Sequence, residues 1–262
     1  MRTPRERRDD EPAYVLHTYP YRETSLIVEV FTERAGRVAM VARGAKRPRS
    51  ELRGVLQAFQ PLTLGWAGAA ELKTLMKAEW RGGMPLPVGA ALLCGFYLNE
   101  LLLKLLPRDD PHPALWLAYE SALRALTGTA APAAQAEILR RFELRLLAEL
   151  GYALALTHEA GSGAPVEPGE RYHYAFDRGP QRGVGEPRAE PGAGASGRGP
   201  LVRGATLIAL ATGHYPDADV AAEAKRLMRS VLDHYLEERR IFSRRIVQDL
   251  AALDDDKDKD PG

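Results

Sequence analysis

Cysteine is almost missing from this 262-residue chain, with Cys94 the only one. A lone thiol excludes an intramolecular disulfide and any two-cysteine metal knuckle, and it fits a reducing, cytoplasmic setting. The histidines, His17, His112, His158, His173, His214 and His234, show no ligand spacing, so no metal or other cofactor is expected. There is no G-K-[ST] phosphate loop and no H-E-x-x-H. The one G-x-G-x-x-G match, "GAGASG", has no strand before it and no helix after it to aim an N-terminus at a pyrophosphate. Nothing resembles a nucleophile beside its base, and an enzyme is not expected. Long apolar runs are lacking too. "AALLCGFYLNELLLKLL" is broken by Asn99, Glu100 and Lys104, too short and too polar to span a bilayer. "MRTPRERRDDEP" has charge but not the apolar segment of a signal peptide. A soluble intracellular protein with no membrane partner is expected. Finally, charge of one sign is not in excess. The net charge is +1, so a polyanion would have to be met by a local patch and not by a global field.

What is present begins with strands. "SLIVEVFT" places Leu26, Val28 and Val30 on one face by alternation, and "RVAMVAR" follows after a glycine turn as its hairpin partner. "LTLGW" and "AELKTLMKAEW" resume the two-residue period. In the last, Leu72, Thr74 and Met76 are expected to face one way and Lys73, Leu75 and Lys77 the other. Four or five short strands in about 70 residues suit a small closed barrel, of which the OB-fold is the commonest.

Gly82, Gly83, Pro85 and Pro87 mark a boundary, and from Val88 the period becomes helical. One helix stops at Pro107 and a second starts after Asp110. A third, "AQAEILRRFELRLLAELG", stripes Ile138, Phe142 and Leu146 and ends at Gly151. Helical signals return at "ATLIALATG", "DADVAAEAKRLMRSVLDHYLEER" and "FSRRIVQDLAAL". Between them, residues 178–200 hold Gly or Pro at 11 of 23 positions, a composition expected to form a flexible insertion. Residues 1–12 and the acidic 254–262 are expected to be disordered tails. The fold class is therefore α+β: a five-stranded OB-fold barrel at 13–82, then an all-helical domain at 83–157 and 204–253 with an irregular insertion.

Two groups of basic residues carry the functional expectation. "RGAKRPRSELRG" gathers Arg43, Lys46, Arg47, Arg49 and Arg53 on one loop, with Glu51 the only acid. Lys73, Lys77 and Arg81 are expected to form a second cationic row on the last strand. Cations for phosphates beside aromatics for bases are what OB-folds use on single strands. Tyr14, Tyr19, Tyr21, Phe59 and Trp66 are the aromatic candidates. The bland reading of either group is a solvated surface with no partner. Separately, Arg140, Arg141 and Arg145 border the stripe of Leu139, Phe142 and Leu146, an arrangement suited either to a solvated helix face or to a groove for an acidic, hydrophobic peptide. A protein-only adaptor that uses the barrel and this groove to bind acidic tails is the competing reading. A steep salt dependence of DNA binding separates the two.

"VLHTYPYRETSLIVEVFTERAGRVAMVARGAKRPRS", "LKTLMKAE", "LNELLLKLL", "RRFELRLLAELGY" and "SRRIVQDL", in this order, resemble the RecO family of bacterial recombination mediators. The resemblance implies an OB-fold, a helical domain and an irregular region between its helices, here 158–203. It implies single- and double-stranded DNA as ligands, annealing of complementary strands, and partnership with RecR and the single-stranded DNA-binding protein SSB in loading RecA. Such a protein is expected at the nucleoid. The resemblance also suggests a site for the SSB C-terminal tail in the helical domain, for which Arg140, Arg141 and Phe142 are the candidates. Many members carry a four-cysteine zinc site after the equivalent of "GYALAL"; "THEAGSGAPVEPGERYHY" has none of its ligands.

Overall fold

A computed structural model describes residues 7–182, 199–236, 241 and 243. Contacts divide the chain into two units, residues 1–139 with 241–262, and residues 140–240.

In the first unit five strands close a barrel: β1 (Arg7–Tyr21), β2 (Ser25–Thr32), β3 (Gly36–Ala42), β4 (Pro61–Ala67) and β5 (Leu72–Trp80). Their order around the barrel is β1-β2-β3-β5-β4, with β4 returning to pair β1. β3 and β5 are the one parallel pair among the described barrel strands. This is the OB-fold order, with the single-turn helix α1 (Leu52–Val55) between β3 and β4. Alternation delivers the core: Val28 and Val30, Val38 and Met40, Leu62 and Leu64, with Trp66 and Leu75, pack into one buried cluster.

Two strands depart from the expected pattern. β1 begins at Arg7, inside the segment expected to be a tail. Arg7 pairs with Ala67, Arg8 with Trp66 and Glu11 with Leu64. The charges that suggested disorder are held there, since Glu11 is buried and accepts the backbone N–H of Arg34 at 2.6 Å. On β5, Trp66 pairs with Leu75 while Gly65 pairs with Lys77. Met76 is the extra residue of a bulge, and it reverses the inside–outside parity of everything after it. Lys73 and Leu75 therefore face inward and Lys77 outward, so the expected row of Lys73, Lys77 and Arg81 on one face does not exist.

Helices α2 (Ala90–Leu105) and α3 (Pro113–Thr127) follow in the same unit. A second bulge in β1, between Val15 and His17, frees carbonyls that would otherwise sit in a ladder. Asn99 of α2 donates to Leu16 O at 3.0 Å, and Tyr119 of α3 donates to the Asn99 side-chain oxygen at 2.6 Å. Buried polar groups are thereby satisfied in sequence. Tyr14 and Phe31 meet Trp116 and Tyr119 ring to ring, which covers the outer face of β1 and β2 near Tyr14.

Helix α4 (Pro132–Glu149) contains the division between the units. The second unit continues with β6 (Arg171–Ala175), β7 (Gly179–Arg182), β8 (Leu201–Arg203), α5 (Gly204–Thr212) and α6 (Ala218–Leu236). β7-β6-β8 form a three-stranded sheet within the stretch expected to be irregular. The 178–200 insertion is narrower than expected on its first side, because Gly179–Arg182 is a strand; residues 183–198 lie outside the described residues. The acidic tail 254–262 and most of "FSRRIVQDLAAL" also lie outside them.

Candidate nucleic-acid interface

Strand β3 ends at Ala42, and Gly44, at φ +69, turns the chain where a side chain would be strained. Ala45 then drops into the barrel core with 1% exposure. The Lys46 N–H bonds Thr24 O at 2.9 Å, tying the segment to the β1–β2 turn. Further turns follow, with Arg47 N–H on Gly44 O and Ser50 N–H on Arg47 O, both at 3.0 Å. A backbone anchored at so many points carries Arg43, Lys46, Arg47, Arg49 and Arg53 with every one of them exposed. None of the five has an ion-pair partner among the described residues, so their charge is unspent.

The loop borders a cleft of about 690 Å³ on the outer face of the barrel. Cross-strand pairing puts Tyr21 beside Ser25 and Val41 beside Thr74 along its floor. Arg22, Arg43, Arg47 and Lys73 line it, with Glu23 the one acid in its lining. The sequence reading missed Arg22. It is exposed in the β1–β2 turn at φ +53, and its guanidinium lies 5.2 Å from the centre of the Tyr21 ring. A lone arginine in a turn gives no sequence signal of its own; only the strand register brings it to the basic loop.

The second expected group is different. Lys73 is 6% exposed, lies on the interior face with Leu75, and its Nζ is 3.3 Å from Asp109 Oδ2. Lys77 is exposed but bridges Asp10 at 3.5 Å and Glu79 at 3.0 Å; Glu79 foremost raises its pKa above the ordinary lysine value. Arg81 is exposed and has no ion pair among the described residues.

The aromatic candidates also separate. Tyr14, Phe59 and Trp66 are buried and cannot stack on a base. Burial, aided by Glu120, pushes the Tyr14 hydroxyl far above its usual range, so it stays neutral. Tyr19 is 44% exposed and Tyr21 is half-buried in the cleft floor. Trp80, not singled out in the sequence, is 59% exposed, with its indole N–H on Gln60 Oε1 at 2.9 Å.

In the second unit Arg140 and Phe142 are buried, and Arg140 forms an ion pair with Glu143 inside the fold. The i, i+3 spacing of those two charges was legible and was the signal against Arg140 as a peptide contact. Arg141 alone of the three faces solvent. Among the described residues no group of three or more His, Cys, Asp or Glu could hold a metal ion. In the 158–203 stretch Arg182 gathers Glu167 at 2.8 Å, Glu159 at 3.3 Å and Glu170 at 4.0 Å. No helix among the described residues is long and apolar enough to cross a membrane.

Fold and site together define an OB-fold protein with a cationic outer face, joined to a second, helix-rich unit. The chain belongs to the RecO family of DNA repair proteins. Residues 8–84 match Recombination protein O N terminal and residues 88–245 match Recombination protein O C terminal. The chain is 49% identical over 250 residues to DNA repair protein RecO of Aromatoleum aromaticum, covering 95% of this chain and 99% of the relative. It is 49% identical to that of an Azoarcus species, with 95% and 99% covered, and 47% identical to that of Nitrosospira multiformis, with 97% and 100% covered.

Proposed function

We propose that this chain is a non-enzymatic recombination mediator. It holds single- and double-stranded DNA on the outer barrel face, anneals complementary strands, and with RecR helps load RecA onto SSB-coated DNA at the nucleoid. The observation that carries this reading is the set of five exposed cations of Arg43–Arg53, unpaired among the described residues, beside the cleft that Arg22 also lines. Phosphate contacts carry no base code, so such a surface accepts any sequence, as an annealing factor requires. Tyr21 on the cleft floor offers a ring to an unstacked base, and Arg81 remains a further candidate phosphate contact. Lys73 and Lys77 are not part of the proposed interface because their charges are already matched. For the SSB tail, Arg141 is the remaining candidate, since Arg140 and Phe142 are inside the fold.

The test is annealing of complementary strands coated with SSB, with and without this protein. The reading expects annealing to be accelerated, and to fall back when salt screens the phosphate contacts. A protein that binds SSB but gives no salt-dependent DNA binding would be the adaptor instead.

A further inference from the structure

Helix α6 has one face inside the second unit and one face in solvent. Val220, Ala224, Leu227, Met228, Val231, Leu232 and Leu236 are buried, recurring every three or four residues. On the opposite side Lys225, Arg226 and Arg229 are all exposed, and none has an ion-pair partner among the described residues. At about 100° per residue the three fall within roughly 100° of arc, and they span a rise of about 6 Å. The other described arginines of this unit show how unusual this is. Arg140, Arg145, Arg182 and Arg203 all meet carboxylates, at Glu143, Glu149, Glu167 and Glu223. Arg141, Arg171 and Arg178 are exposed and unpaired among the described residues, but each stands singly on a different segment.

We infer that this face of α6 is a second DNA-backbone site, so that the chain holds one strand on the barrel and another on α6. The inference rests on the proposed annealing function and adds to it where the second strand is held. The chemistry of the face selects the ligand. Exposed Ala222 lies on this face one turn before Lys225, and exposed Asp233 on the same face one turn after Arg229, with Asp219 near its edge towards the helix start. Among the described residues this face of α6 exposes no large apolar or aromatic side chain to receive the hydrophobic end of an acidic peptide. A phosphate backbone asks for nothing more than closely spaced cations. Each strand of a duplex carries one phosphate per about 3.4 Å of helix axis, so three long cationic side chains over such a rise reach about two of them. Annealing needs this arrangement, because both strands must lose their mutual repulsion at the same time.

The test uses the full chain and two variants, Lys225→Glu/Arg226→Glu/Arg229→Glu and the same three positions changed to alanine, which keeps the helix. The probes are non-complementary single-stranded oligonucleotides labelled with a donor and an acceptor. Sedimentation counts strands per chain, and energy transfer reports two strands on one particle. The wild type is expected to hold two strands per chain. Both variants should hold one, with first-strand affinity changed less than twofold and annealing of complementary strands slowed at least tenfold. Two strands per chain in the variants, or one in the wild type, overturns the inference. So does loss of both strands together, which would make α6 part of a single site. So does an unchanged strand count with lost binding of an acidic protein. If the wild type binds two strands by way of α6 and does not anneal them, the annealing reading fails while this site stands.

Discussion

The Arg43–Arg53 loop and strand β5 both carry basic residues, yet only the loop has charge to offer. In the loop, one buried residue, Ala45, pins a segment whose cations all project to solvent without ion-pair partners among the described residues. On β5, the bulge at Met76 sends Lys73 inward to Asp109 and leaves Lys77 between Asp10 and Glu79. Both aspartates sit at positive φ, Asp10 at +55 and Asp109 at +56, in irregular backbone that brings the carboxylate to the lysine. A count of positive charges thus says little about binding until each is matched against its neighbours. The same contrast recurs along α6, whose Glu223 takes the charge of Arg203 while Lys225, Arg226 and Arg229 keep theirs.

The strongest way to disturb this contrast is through Gly36. Its φ is +70, and a Cβ there would lie 2.0 Å from Asp110 O, next to the partner of Lys73. Gly36→Ala should destabilise the barrel by about 2–4 kcal/mol, combining overpacking with left-handed strain. Chemical denaturation reads it, and a loss below ~1 kcal/mol would show that the segment yields freely. Next in size is Lys73→Ala. It should cost about 1–2 kcal/mol of stability, because it removes a buried lysine stem and its charge-assisted bond to the half-exposed Asp109. Its DNA affinity should stay within twofold of wild type; a tenfold loss would return Lys73 to the interface.

Glu223 sharpens the comparison on the second unit. Burial acts against its charge, but bonds from the Thr206 hydroxyl and from Arg203 outweigh it and hold the carboxyl below its usual pKa. A lowered carboxylate pKa stabilises the fold above the unfolded value, near 4.3, and the gain is lost as pH falls through the folded value. Glu223→Gln should therefore cost about 1 kcal/mol at neutral pH, and the difference from wild type should shrink below about pH 4. A difference that persists undiminished in acid would assign it to shape and not charge. The smallest effect is the most telling. Asp10→Asn with Glu79→Gln releases Lys77, and should raise single-strand affinity a few-fold while steepening the salt slope by about 0.7, one added phosphate contact. No change would mean that Lys77 is out of reach of the DNA even when free.

Much of the barrel was legible because its cues are local. Alternation of Val28 and Val30, the glycine turn before β3 and the Gly82–Gly83 boundary each lie within a few residues, and the loop's composition named its own charge. What escaped was set at a distance or by a single inserted residue. Met76 changes the parity of β5 without altering its composition. The Lys73–Asp109 pair spans 36 residues of sequence. The first residues of β1 look like a tail until β4 pairs with them. Tyr172 and Tyr174 do alternate in β6, buried between exposed neighbours, but Gly and Pro around them hid the sheet.

The central claim is that the loop's unspent cations hold the DNA. It is tested most directly by the salt dependence of single-strand binding for wild type and for Arg43→Glu/Arg47→Glu/Arg49→Glu. These side chains are exposed, so cooperative unfolding should be preserved. Each phosphate contact adds about 0.7 to the slope of log K against log salt for single strands, so losing three should flatten it by about 2. Affinity should fall at least a hundredfold at low salt. An unchanged slope in a folded variant would contradict the account and place the DNA elsewhere.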